Sequence, residues 1–128
     1  MSRRRLSTLA LTALTALLAA AAAGCGGGGD DASSGGAATA TLASGDVISM
    51  KGLRFHPDHA QVKVGQKVTW RDDESVPHDV VADSGAEFKS SVFGKNKTYS
   101  FTPTAAGTIA YECTLHPGMK GTLEVVAD

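Results

Sequence analysis

Cysteine is scarce in this chain. Its 128 residues hold two, Cys25 and Cys113, which allow at most one disulfide. Aromatic residues are also few, at 5%. Basic residues do not dominate: 12 Lys and Arg stand against 13 Asp and Glu, for a formal net charge of −1. That balance argues against a nucleic-acid partner, because such proteins are normally basic. No internal repeat is visible. A strong helical period is absent from the C-terminal two-thirds, which leaves strands as its building elements.

Glycine and alanine are plentiful, but they crowd the first third, so the chain is two compositions joined end to end. Arg3, Arg4 and Arg5 precede the charge-free run LSTLALTALTALLAAAAAG. A basic start, an apolar run and a finish in small residues read as an export signal over residues 1–24. SRRRL is also a partial match to a twin-arginine signal. The stretch Ala22-Ala23-Gly24-Cys25 resembles the bacterial lipobox, with Ala22 where Leu is usual. That resemblance implies a diacylglycerol on Cys25, which becomes the mature N-terminus. Loss of the three arginines takes twelve basic residues to nine and the net charge from −1 to −4.

Residues 25–44 follow as the lipidated cysteine and a tether. GGGGDDASSGGAATATLAS has almost no large apolar residue and cannot bury a core. A Gly-rich linker of this length spans roughly 25 Å. The folded domain is expected over residues 45–128. With Cys25 carrying lipid, Cys113 is an unpaired thiol in an oxidising compartment, and a metal is the obvious occupant.

Short alternating segments fill that domain: VISM, AQVKV, KVTWRD, HDVVA, KTYSFT, GTIAYEC and GTLEVV. Turn signals at Gly65, Pro77, Gly94, Pro103 and Pro117-Gly118 separate them. The expectation is an all-β fold, a Greek-key β-sandwich of about seven or eight strands. Residues 84–94 are the least regular part. Met50, Trp70 and Tyr111 are expected in the core.

Soft donors gather in ECTLHPGMKG, where Cys113, His116 and Met119 fall at successive spacings of three. Cys113 ends a strand, His116 lies in the turn, and His116-Pro117-Gly118 folds the chain back toward Met119. A thiolate, two imidazoles and a weak axial thioether form the blue-copper arrangement. His78 is the best source of the second imidazole, because VPHDV places it at the start of an alternating segment.

The stretches KVGQKVTWRDDESVPHDVVA and GTIAYECTLHPGMKGTLEVV closely resemble the cupredoxins, the small blue-copper proteins. The short loop is similar to the amicyanin and pseudoazurin branch, and plastocyanin usually has a longer gap before its Met. The resemblance implies one copper cycling between Cu(I) and Cu(II). His78, Cys113 and His116 would form its trigonal plane and Met119 its axial ligand. Many members carry Asn where this chain has Asp79. Asp79 could still accept a bond from the Thr114 hydroxyl and tie the two ligand segments together. His116 would be the electron port, ringed by Pro77, Leu115 and Pro117, where redox partner proteins dock.

Other readings fare worse. Zinc rarely takes a methionine. An immunoglobulin-like Cys…Trp…Cys order fails because Cys25 lies outside the strand region. His56 and His59 read as surface histidines, and Asp72-Asp73-Glu74 as a solvated acidic loop. A copper enzyme needs further sites, yet the chain has only four histidines. The expectation is therefore a monomeric, non-enzymatic electron shuttle. It is lipid-anchored at the outer face of the bacterial cytoplasmic membrane, periplasmic or on the cell surface. Copper delivery or storage is the alternative.

Overall fold

The computed structural model describes residues 38–128. The export signal, Cys25 and most of the tether lie outside the described residues. Nine strands occur among them and no helix. They are β1 (Ala40–Thr41), β2 (Val47–Met50), β3 (Phe55–His56), β4 (His59–Lys63), β5 (Val68–Asp72), β6 (Val81–Ser84), β7 (Thr98–Phe101), β8 (Gly107–Glu112) and β9 (Lys120–Val126). One sheet has the order β1-β4-β9-β8-β6 and the other β3-β2-β5-β7. Parallel pairings of β4 with β9 and of β2 with β5 mix with antiparallel hairpins. The all-β sandwich expected from the alternation is thus observed.

Alternation drives the layering. Along β9, Gly121, Leu123 and Val125 point inward while their neighbours are half-exposed. In β5, Val68, Trp70 and Asp72 share the buried face. Ile48, Met50, Phe55, Val62, Trp70, Tyr111 and Leu123 are almost wholly excluded from water. Each such side chain contributes about 1.5–3 kcal/mol relative to exposure. Trp70 stands edge-on to Tyr111 at 5.3 Å, and Phe55 meets the same ring at 4.8 Å. Tyr111 faces Gly121 across the β8–β9 ladder. A Cβ on Gly121 would overlap that ring, with Cε2 at 2.6 Å.

Three details differ from the sequence reading. The described structure begins before Gly45: Ala40–Thr41 pairs with β4, and Leu42 joins the core from within the stretch read as tether. Two residues of strand are too few to carry a period. Phe55–His56 was likewise hidden, as a two-residue partner of β2 beyond a tight turn. The segment HDVVA is not a strand from its start. His78, Asp79 and Val80 are all buried rather than alternating, and β6 begins at Val81. His78 pairs instead with Phe93, and Val80 with Ser90, so residues 84–94 brace this segment.

Candidate metal centre

Two connections at one end of the sandwich supply the donors. The first is the β8–β9 hairpin. Its last ladder pair is Glu112–Lys120, and the loop beyond is closed on itself. Cys113 N–H donates to the Met119 carbonyl at 2.9 Å, and Met119 N–H to that of His116 at 3.1 Å. The second is the segment between β5 and β6. There His78 exchanges two backbone bonds of 2.9 Å with Phe93.

The side chains meet between them. Cys113 Sγ lies 3.7 Å from His78 Nδ1 and 3.4 Å from His116 Nδ1. One donor atom from each of the three residues falls within 4.8 Å of the others. The two imidazole rings are tilted at 56°, centroids 4.8 Å apart. His78 and Cys113 are buried and His116 is half-buried. Met119 is buried at the foot of the same loop. The grouping drawn from spacing is therefore met in space for His78, Cys113 and His116.

The second layer is explicit. Asp79 Oδ1 accepts the Thr114 N–H at 2.6 Å, and Oδ2 accepts the Thr114 hydroxyl at 2.5 Å. This ties the His78 segment to the Cys113 loop, as the resemblance implied. Burial pushes the Cys113 thiol above its ordinary range. The N–H groups of Asp79 and Leu115 pull it back down, and the Asp79 carboxylate pushes it up again. A thiol so placed ionises when a cation binds it.

The acidic run is not a solvated loop, and here the sequence reading is corrected. Asp72 is wholly buried, and its Oδ1 accepts the Glu74 N–H at 2.9 Å. Asp73 accepts from Arg71 and Ser49. Glu74 accepts a bond of 2.7 Å from His78 Nε2. Burial acts to raise the Glu74 carboxyl, yet bonds from Leu53, His78 and Gly52 bring it below its ordinary value. The one signal for this partnership was the four-residue spacing from Glu74 to His78. His56 is exposed, as expected, and His59 is half-exposed. Neither is among the grouped donors.

Residues 42–126 match the model of the copper binding proteins of the plastocyanin/azurin family. The chain belongs to this family. It is 38% identical to an amicyanin of Paracoccus denitrificans over 93 residues, 69% of this chain and 71% of the relative. It is 34% identical to a plastocyanin of Scenedesmus fuscus over 85 residues, covering 57% and 87% of the two chains. A solved structure of an oxidised amicyanin variant superposes with a TM-score of 0.59 at 37% identity, covering 62% of this chain and 80% of that one. The donor chemistry fits the family's metal. One thiol and two imidazole nitrogens face one point, and such soft and borderline donors suit copper.

Proposed function

We propose that this protein is a type 1 copper electron carrier, with His78, Cys113 and His116 as equatorial ligands and Met119 as the weak axial ligand. The observation that carries the proposal is the convergence of Cys113 Sγ, His78 Nδ1 and His116 Nδ1 at one end of the sandwich. Copper held there supplies a one-electron couple between Cu(I) and Cu(II). The protein's part is to keep its donors still. The loop closed by Cys113 and Met119, and the Asp79–Thr114 clasp, hold both ligand segments in one geometry. Little then rearranges when charge moves, and no substrate is turned over.

His116 is the half-buried member of the set and offers the way out. The exposed large hydrophobic side chains among the described residues are Leu53, Val76, Val92 and Leu115. Val76 lies two residues before His78, Leu115 adjoins His116, Val92 adjoins Phe93, and Leu53 bonds to Glu74. All four border the same end, a setting that suits transient docking of redox partner proteins. Export and a lipid anchor on Cys25 complete the proposal and place the carrier outside the cytoplasmic membrane.

Titration with Cu(II) tests it. An intense visible thiolate-to-copper band should appear, bleach on one-electron reduction and return on oxidation. Cys113→Ser should fold yet lack the band, because the charge transfer needs sulfur. A variant that keeps the band would remove Cys113 from the site. Fast electron self-exchange with slow copper exchange marks a carrier, and the reverse marks delivery or storage.

A further inference from the structure

Glu74 does more than accept one bond. Its Oε2 accepts the Gly52 N–H and its Oε1 the Leu53 N–H, both at 3.0 Å. Gly52 and Leu53 form the tip of the β2–β3 hairpin, with φ of 62° and 55°. Successive N–H groups aimed at one carboxylate form an anion cradle. Leu53 holds a left-handed conformation that a side chain ordinarily disfavours, and its N–H is spent on Glu74. From behind, the Glu74 main chain is pinned by the buried Asp72. The same Oε1 then receives His78 Nε2 at 2.7 Å, against an imidazole with no solvent exposure.

A carboxylate can only accept, so this contact places the proton of a neutral His78 on Nε2. The lone pair is left on Nδ1, the atom 3.7 Å from Cys113 Sγ. Building on the copper reading above, we infer that Glu74 is a positioning residue. Seated in the Gly52–Leu53 cradle, it fixes the tautomer and aim of His78 and biases the bound copper toward Cu(II). The bias follows from charge: a carboxylate bonded to a ligating imidazole makes that ring a stronger donor. A stronger donor favours the more highly charged metal. Glu74 thereby joins a hairpin of one sheet to His78 on the connection between the two sheets.

Two variants separate positioning from charge. Glu74→Gln keeps an oxygen for His78 and Leu53 but removes the charge. Glu74→Ala removes both. In metal-free protein, nitrogen NMR should find His78 protonated at Nε2 in the wild type and in Glu74→Gln, but as a mixture of tautomers in Glu74→Ala. The Leu53 amide should shift in Glu74→Ala. With copper, Glu74→Gln should lose about tenfold in preference for Cu(II) over Cu(I), a rise of about 59 mV in potential. An unchanged tautomer in Glu74→Ala together with an unchanged potential in Glu74→Gln would overturn the inference and leave Glu74 as a hairpin anchor. If Glu74→Ala does not fold, the potential of Glu74→Gln decides alone. Failure of the wild type to form a blue site, with the tautomer shift intact, would sink the copper reading while sustaining the positioning of His78.

Discussion

Met119 and Gly121 sit two residues apart and do opposite things for the site. Met119 is buried beneath the donor loop and is proposed as a weak axial donor. A thioether there slightly stabilises Cu(II), so Met119→Leu should keep copper and colour but raise the reduction potential. Voltammetry of the two proteins checks this, and equal potentials would take Met119 out of the coordination sphere. The swap conserves volume and should cost less than about 1.5 kcal/mol of stability. Gly121 contributes only its lack of a side chain. The Tyr111 ring lies on it and is wedged between Trp70 and Phe55, so it cannot retreat. Gly121→Ala should lower stability by about 1–3 kcal/mol, read from denaturant unfolding of the metal-free protein. An unaffected midpoint would mean the ring can move aside.

Among the elements, the join between β2 and β5 carries a pH signature. Asp73 accepts the Arg71 side chain through both oxygens and the Ser49 hydroxyl through one. The Arg71 bond first, then that of Ser49, lowers its pKa from 3.8 to about 2. A depressed folded-state value means stability that is fully present above the unfolded pKa and is lost as pH falls through the folded one. The window therefore runs from about pH 4 down to about pH 2. Asp73→Asn should flatten the stability profile there relative to the wild type, and the effect should be small because the pair faces solvent. Unfolding curves at several acidic pH values would show it, and parallel profiles would refute it. This element-level bond was invisible in the sequence, where Asp72-Asp73-Glu74 read as one solvated run. Each of the three acids meets its own set of partners, because a strand ends there and the chain turns inward toward His78. Alternation along the chain says which face a residue takes, not what a distant hairpin lays against it.

At the scale of the whole molecule, the metal end and the tether are separate devices. No helix among the described residues is long and apolar enough to cross a membrane. The anchor proposed for the chain is the lipid on Cys25, and the proposed copper ligands lie far along the sequence. Cys25→Ala should therefore release the protein from membranes without changing copper binding or colour. Fractionation of cells expressing both forms tests this, and retention of the variant would point to an uncleaved signal segment.

The sequence by itself determined the donors and their local setting. Cys113, His116 and Met119 lie within one hairpin loop, so their spacing along the chain is nearly their arrangement in space. Most strands were legible for the same reason, since period-2 burial is a local property of β2, β4, β5, β8 and β9. Tertiary structure decided the rest. It brought His78 to Cys113 across 35 residues, fastened by Asp79 to Thr114. It drew β1 and β3, each too short to show a period, into the sheets. Glu74 lies four residues from His78, but the Gly52–Leu53 turn that offers it two N–H groups comes from more than twenty residues upstream. Glu74 is only half-buried, and which donors reach its carboxylate is set by how the sheets pack.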